Sequence, residues 1–212
     1  NYLKKKYCLS IPSLTGDCFM QQPFWKSEGA LKNELENKFI KVCENASKIN
    51  IKFIVVPLVD NGSINSRKEE NNLLQFLKSI ENKLYKLNLK IIFETNFTPK
   101  RYLDFINKLN PMIFGINFDM GNSASLAIDP EEEITLLGNR IWNVHIKDRE
   151  LNGSTIELGK GNVNFEKVFL HLSRIKYKGN FILQTARSNN NKHMEILLKY
   201  RNFTKNYMLN LI

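Results

Sequence analysis

The fold is decided by residues 89–119, LKIIFETNFTPKRYLDFINKLNPMIFGINFD, which have the pattern of a strand, a helix and a second strand. The runs 89–94 and 113–118 are short and nearly continuous in apolar residues, which is typical of strands buried on both faces of a parallel sheet. Between them, Thr98 is placed to cap a helix that has Pro99 in its first turn. This stretch therefore predicts one strand–helix–strand unit.

The same alternation of short apolar runs and amphipathic helices extends along the chain in both directions from this unit. Predicted strands cover residues 7–13, 53–59, 89–94, 113–118, 141–146 and 181–185. Predicted helices carry apolar stripes over residues 31–46, 73–87, 99–106, 130–138, 165–175 and 192–208. A strict alternation implies right-handed crossovers and a parallel sheet, so we expect an α/β fold. Periodicity leaves open whether the sheet is doubly wound or closed. Because no internal repeat or linker divides residues 1–212, we expect a single domain.

The totals exclude several classes of protein. The apolar runs are too short to span a bilayer, and no leader of the charged-then-apolar type follows Asn1. Cys8, Cys18 and Cys43 show no CxxC spacing, so we expect a reducing, cytoplasmic setting with no disulfide framework. The net charge of +10 comes from lysines scattered along helix faces, without an arginine-rich stripe. We therefore favour a compositional bias over a nucleic-acid partner, although an anionic small substrate would also suit this charge.

Polar side chains stand at the ends of four successive apolar runs, at Glu94, Asp119, His145 and Gln184. In a parallel barrel the carboxyl ends of all strands share one rim, so these residues would meet there. Carboxylate oxygen and imidazole nitrogen are suitable ligands for Mn²⁺, Mg²⁺, Co²⁺ or Zn²⁺. Taken singly, a carboxylate at a strand end is more often a cap or turn residue, and a lone histidine is more often structural. Their joint occurrence at equivalent positions favours a metal site.

Three segments resemble the xylose isomerase-like TIM-barrel superfamily, which includes sugar and sugar-phosphate isomerases and epimerases. They are FGINFDMGN at residues 114–122, VHIKD at 144–148 and LGKGNVNF at 158–165. The segment IPSLTGDCFMQQPFW at residues 11–25 is similar to the third-strand loop of one branch. The resemblance implies a (β/α)8 barrel, with six βα units here that match strands three to eight and with the first two units absent.

The resemblance also implies a metal held by Glu, Asp, His and a second Glu. Glu94, Asp119 and His145 match the first three positions, whereas Gln184 stands where the family has glutamate. In the family, one glutamate removes a proton next to a carbonyl to give an enediolate, and the other glutamate returns a proton. The two catalytic positions would thus be Glu94 and Gln184, but a primary amide cannot exchange protons near neutral pH. A one-base isomerisation through Glu94, a lyase-type reaction and loss of catalysis all remain open.

Other residues at this rim are candidates for binding substrate. Related enzymes place a substrate-binding side chain where Asn122 stands, although a role in a turn is an equal alternative. Lys147 and Arg149 are candidates for binding phosphate or carboxylate, with solvated loop charges as the alternative. Trp25 is a candidate for a hydrophobic wall over the sugar, with simple packing as the alternative. Gly159, Lys160 and Gly161 precede a helix and suggest either an anion site or, preferably, a tight turn. Asp60 is a further carboxylate with no assigned role.

Three functions follow from these residues, in order of preference. The first is a metal-dependent isomerase or epimerase of a small sugar or sugar phosphate. The second is a catalytically impaired homologue that binds a sugar-like ligand, because Gln184 replaces the second glutamate. The third is a nucleic-acid enzyme of the apurinic endonuclease type, which needs a histidine-rich three-zinc cluster. We disfavour it because the chain has three histidines, of which His171 lies within a predicted helix. The sequence leaves the oligomeric state open.

Overall fold

A computed structural model describes residues 2–188 and 191–209 and contains six parallel strands in chain order. These strands are β1 (Ser13–Thr15), β2 (Phe53–Leu58), β3 (Lys90–Thr95), β4 (Phe114–Asp119), β5 (Ile141–Ile146) and β8 (Asn180–Leu183). They form a six-stranded sheet in the order β1-β2-β3-β4-β5-β8, and a short antiparallel pair is formed by β6 (Asp148–Arg149) and β7 (Thr155–Ile156). The expected α/β class and a sheet of six parallel strands are thereby confirmed, although the first strand lies later in the chain than predicted.

Helices follow or separate the strands, as a parallel sheet requires. The helices are α1 (Tyr2–Lys6), α2 (Asp17–Gln21), α3 (Gly29–Lys48), α4 (Arg67–Ser79), α5 (Glu81–Lys86), α6 (Pro99–Ile106), α7 (Met120–Ser125), α8 (Pro130–Leu137), α9 (Phe165–Arg174) and α10 (His193–Leu209). Within the described ranges, no helix has both the length and the apolar character needed to cross a membrane.

Local sequence signals fix several helix starts. The carboxylate of Asp129 accepts a hydrogen bond from the Glu131 N–H at 2.9 Å, and Pro130 occupies the first turn of α8, as its missing N–H and fixed φ allow. Asn164 caps α9 in the same way, by accepting from the Lys167 N–H at 2.9 Å. These caps explain why the predicted bounds of α8 and α9 agree closely with the structure.

Two predicted elements differ from the structure. The expected strand at 7–13 is wrong, because β1 begins at Ser13. Cys8 adopts a positive φ of 51°, and Tyr7 and Leu9 are exposed, so this apolar run is not covered by a sheet. The single helix expected over 73–87 is instead α4 and α5, because Ile80 between them leaves the helical region with φ −101° and ψ 2°.

The chain divides into two compact units, each with its own core. The first comprises residues 2–95 and 104–115 and contains β1, β2 and β3 in parallel register. Its core includes a cluster of aromatic rings from α2, the 3₁₀ turn at Phe24–Lys26, α3 and α4. Ring centroids of Phe19, Phe24, Phe39 and Phe76 lie 4.6–5.7 Å apart in tilted or edge-on pairs, which are favourable aromatic geometries.

The second unit comprises residues 96–103 and the chain from Ile116 onward. It contains β5 and β8, the greater part of β4, and helices α7 to α10. Phe165 and Phe169 on α9 stack against Tyr207 of α10, with ring centroids 5.6 Å apart in both pairs. This unit positions most of the site residues described below. The assignment of a single domain over 1–212 stays a prediction.

Candidate functional site

The register of β4 and β5 places polar side chains on one face of these two strands. Asn117 is paired with Asn143 and Asp119 with His145, after an irregularity in register between Ile116 and Asn117. Residues two apart on a strand point to the same side, so the two pairs form successive rungs. In the inner rung the amide of Asn143 donates to Asn117 Oδ1 at 2.6 Å. A hydrogen-bonded pair of amides therefore supports the Asp119–His145 rung.

The next rung joins β5 to β8. Ile146 is paired with Leu183, and the backbone N–H of Gln184 donates to Ile146 O at 3.0 Å, so Lys147 and Gln184 lie side by side. The Lys147 ammonium donates to Gln184 Oε1 at 3.2 Å. Parallel pairing thus brings together two residues that are far apart in sequence, just beyond the His145–Ile182 pair.

Asp119 uses its two carboxylate oxygens for different purposes. Oδ1 accepts from the Asn122 N–H at 2.8 Å and caps α7, whereas Oδ2 lies 3.3 Å from Lys147 Nζ and 3.7 Å from His145 Nδ1. Burial by itself would raise the pKa of this carboxyl, but the facing His145 ring and the Lys147 charge outweigh it and hold the pKa below its usual value. Asp119 is therefore both a helix cap, through Oδ1, and an ionised carboxylate whose Oδ2 faces His145 and Lys147.

Lys147 is built into the interior of the second unit. Its side chain is 14% exposed. Its stem runs along Gly121, where an added Cβ would lie 2.7 Å from Lys147 Cγ. The alternative of a solvated loop charge is therefore wrong for Lys147, and the absence of a side chain at position 121 is what makes room for it. Its role in binding substrate stays a prediction.

Asn122 and Arg149 form one hydrogen-bonded group. Arg149 Nη1 donates to Asn122 Oδ1 at 2.8 Å, and its Nε and Nη2 donate to the carbonyl oxygen of Gly153. These contacts fix the plane of the guanidinium group and orient the buried amide of Asn122. Whether the two residues bind substrate stays a prediction.

Asp148 organises the glycine loop and was not singled out from the sequence. Its buried carboxylate accepts four backbone N–H bonds, from Arg149 and Val163 at Oδ1 and from Gly159 and Gly161 at Oδ2, at 2.9–3.1 Å. The loop N–H groups of Gly159 and Gly161 are thus satisfied by a protein carboxylate, which confirms the tight-turn alternative for 159–161. The signal available in the sequence was an aspartate three residues after His145, before a glycine-containing loop.

Glu133 is a second group that sequence reasoning did not recognise as unusual. It was expected at the start of a helix among Glu131 and Glu132, yet it is buried, and its Oε2 has no hydrogen-bond partner among the described residues. Burial raises the pKa of this carboxyl to about 7, a hydrogen bond with Ser123 works against the rise, and the negative charge of Asp119 adds to it. Glu133 is therefore a carboxyl that titrates near neutral pH.

Three candidate residues lie in the first unit. Glu94 is the fifth residue of β3, paired in register with Pro57 and buried. Trp25 has no exposed surface and its indole N–H donates to Gly62 O at 3.1 Å, so it packs in the interior rather than forming an exposed wall for a sugar. This burial favours the packing alternative for Trp25, and its role in binding substrate stays a prediction. Asp60 is exposed in a 3₁₀ turn with φ 49°.

Comparison with known proteins identifies the family. The model of the xylose isomerase-like TIM barrel matches residues 2–203, so the chain belongs to this family.

Individual relatives are distant in sequence. The chain is 22% identical over 210 residues to a protein of Haemophilus influenzae named putative L-ribulose-5-phosphate 3-epimerase SgbU, covering 91% of this chain and 72% of the relative. A solved structure of a D-tagatose 3-epimerase-like protein is 22% identical with a TM-score of 0.80, over 99% of this chain and 81% of the other. The structure of IOLI protein with a bound zinc atom is 15% identical with a TM-score of 0.75, over 99% and 80%. At these identities the solved structures establish the fold alone.

We expect Asp148→Asn to lower the free energy of unfolding by about 2–3 kcal/mol, because the amide has one acceptor oxygen and leaves two of the four buried N–H groups without an acceptor. Urea unfolding followed by circular dichroism would measure this loss. The matched control is Asp104→Asn, on the exposed surface of α6, which should change stability by less than about 0.5 kcal/mol. Equal stability of the two variants would contradict the role of Asp148.

Glu133 should make stability depend on pH. Its pKa is about 7 in the folded protein and 4.5 ordinarily, so the folded state holds more protons at this carboxyl between these values. Stability should therefore fall as pH rises from about 4.5 to 7, relative to the variant Glu133→Gln, by on the order of 3 kcal/mol. Unfolding free energies at pH 5 and pH 8 would measure this difference. Glu132→Gln, at the exposed neighbouring position, leaves Glu133 in place and should keep the pH dependence of the unchanged protein.

Proposed function

We propose that this protein is a divalent-metal-dependent isomerase or epimerase that acts on a hydroxy-carbonyl sugar or sugar phosphate. The proposal is supported by family membership and by relatives named as ribulose-5-phosphate and tagatose epimerases. The residues that carry the proposal are a buried carboxylate and a buried imidazole paired in register, Asp119 and His145, at the carboxyl ends of β4 and β5. Active sites of such barrels lie at this end of the strands.

We propose that Glu94 joins Asp119 and His145 as a third ligand. This step is supported by the burial of Glu94 near the carboxyl end of β3 and by its match to the first ligand position that the family resemblance implies. Two carboxylates and an imidazole suit Mn²⁺, Mg²⁺, Co²⁺ or Zn²⁺. Gln184 can add a neutral amide oxygen, but it supplies one negative charge fewer than a glutamate would.

In the proposed mechanism, Glu94, Asp119 and His145 would hold a divalent cation, which would supply Lewis-acid polarisation of the substrate carbonyl and so acidify the neighbouring C–H. The Glu94 carboxylate takes the proton from that carbon, and the electron pair of the C–H bond moves into the carbon skeleton to give an enediolate. Asp119 keeps its negative charge throughout, because His145 and Lys147 favour the ionised form. The proton then returns from Glu94 to carbon. When it returns to the neighbouring carbon, the hydroxyl proton of the enediolate passes to the adjacent substrate oxygen, so that the carbonyl and the hydroxyl exchange places.

Gln184 limits where that proton can return. An amide neither takes nor gives a proton near neutral pH, so a second base on the opposite side of the substrate is not supplied by this residue. Glu94 acting alone would return the proton on the side from which it came. This favours transfer to the neighbouring carbon, an aldose–ketose isomerisation, over inversion at the original carbon.

We expect the protein with added Mn²⁺ or Co²⁺ to interconvert at least one aldose–ketose pair in a panel of sugars and sugar phosphates. Chromatography of the products would measure this conversion. Glu94→Gln should lower kcat by at least about 100-fold, because it removes the proposed base. Glu195→Gln, on the exposed surface of α10, is the matched control and should retain full activity. An inactive protein that also binds none of these metals would overturn the proposal.

The second candidate function is binding of a sugar-like ligand without catalysis. Gln184 favours it because an amide cannot carry a proton and because its Oε1 already accepts a hydrogen bond from Lys147. Gln184→Glu distinguishes the two candidates. If the amide is the defect, this change should raise turnover by at least about tenfold through a second proton carrier. Gln75→Glu on the exposed surface of α4 makes the same chemical change as a control. Appreciable turnover of the unchanged protein, with no gain in the variant, would exclude the non-catalytic function.

A further inference from the structure

Lys147 holds two of the oxygen atoms that a cation at this site would need. Its ammonium lies 3.3 Å from Asp119 Oδ2 and 3.2 Å from Gln184 Oε1, so it already bridges the carboxylate and the amide. A divalent cation also takes carboxylate and amide oxygen atoms as its ligands. The ammonium and the metal therefore compete for the same acceptors.

The two oxygens of Asp119 already have different partners. Its Oδ1 accepts the Asn122 N–H at 2.8 Å as the cap of α7, which leaves Oδ2 as the oxygen that faces His145 and Lys147. A cation at Oδ1 would have to share that oxygen with the N–H that caps α7. Oδ2 is consequently the atom for which the two cations compete.

The position of Lys147 is fixed by the fold. Gly121 makes room for its stem, the side chain is largely buried, and the β5–β8 register sets it beside Gln184. A lysine on an open loop could withdraw into water at little cost, but this stem is enclosed. Displacing the ammonium therefore breaks an ion pair and a hydrogen bond that are partly buried.

We propose that Lys147 is an internal cation that excludes the divalent metal from Asp119 Oδ2 and thereby sets the metal affinity of the site. This inference rests on the proposed function, since it takes the metal to be held by Glu94, Asp119 and His145. Metal binding displaces the ammonium from Asp119, and the neutral amide at Gln184 makes this displacement harder because it adds no charge to attract the metal. The site therefore binds a divalent cation weakly until the charge of Lys147 is removed or moved away.

The test is calorimetric titration of the full chain with Mn²⁺ alone. Lys147→Met keeps the apolar stem and removes the charge, and it should bind Mn²⁺ at least about tenfold more tightly than the unchanged protein. Lys147→Arg keeps the charge and should stay within about threefold. Lys199→Met is the matched control, because Lys199 also pairs with a carboxylate, Glu157 at 3.2 Å, but on an exposed surface. It should leave Mn²⁺ affinity unchanged.

The outcomes separate this inference from the proposed function. Equal or weaker Mn²⁺ binding by folded Lys147→Met, together with loss of binding in Glu94→Gln, would overturn the role of Lys147 and leave the metal site in place. Binding that survives Glu94→Gln, or no binding by any variant, would overturn both.

A second measurement needs no substitution. A crystal structure of the unchanged protein with Mn²⁺ should show Lys147 Nζ moved beyond 4 Å from Asp119 Oδ2. Contact between these atoms with the metal in place would refute the competition.

Discussion

A buried carboxylate at the end of β4 is the constraint on which the second unit depends. Asp119 is almost fully enclosed, and an enclosed carboxylate is tolerated when its oxygens have charged or N–H partners. The backbone of Asn122 supplies one partner, and Lys147 and His145 supply the others. Asp119 thereby links the cap of α7, the Lys147 side chain and the paired strands β4 and β5.

The loops around this carboxylate follow the same principle. Asp148, next to Lys147, turns its carboxylate towards four backbone N–H groups and so shapes the glycine loop at 159–163. Arg149 then reaches Asn122, the residue whose N–H caps Asp119. Lys147, Asp148 and Arg149 follow β5 directly and contact Asp119, the glycine loop and Asn122, respectively. Side chains of neighbouring residues leave the backbone in different directions, so three consecutive residues can make three different contacts.

Charge at the rim is distributed differently from the arrangement the family resemblance implies. Gln184 replaces a carboxylate by an amide, and Lys147 is hydrogen-bonded to that amide and paired with Asp119. Glu133 adds a carboxyl that is buried and titrates near neutral pH, within electrostatic reach of Asp119. The amide at position 184 and the ammonium of Lys147 together mean that the protein itself neutralises part of the charge that would otherwise attract a metal.

The sequence by itself determined those features that depend on neighbouring residues. The pattern of apolar residues identified five of the six strands of the parallel sheet, and the Asp129–Pro130 pair placed the start of α8. Both signals act within one strand or one helical turn, so they can be read from neighbouring residues. The false strand at 7–13 shows that an apolar run needs a partner strand before it becomes part of a sheet. Only the tertiary structure decided that Lys147 contacts Asp119 and Gln184, that Asp148 fills the glycine loop and that Trp25 is enclosed. Those contacts are set by strand register and loop closure, which join residues tens of positions apart and leave no periodic trace in the chain.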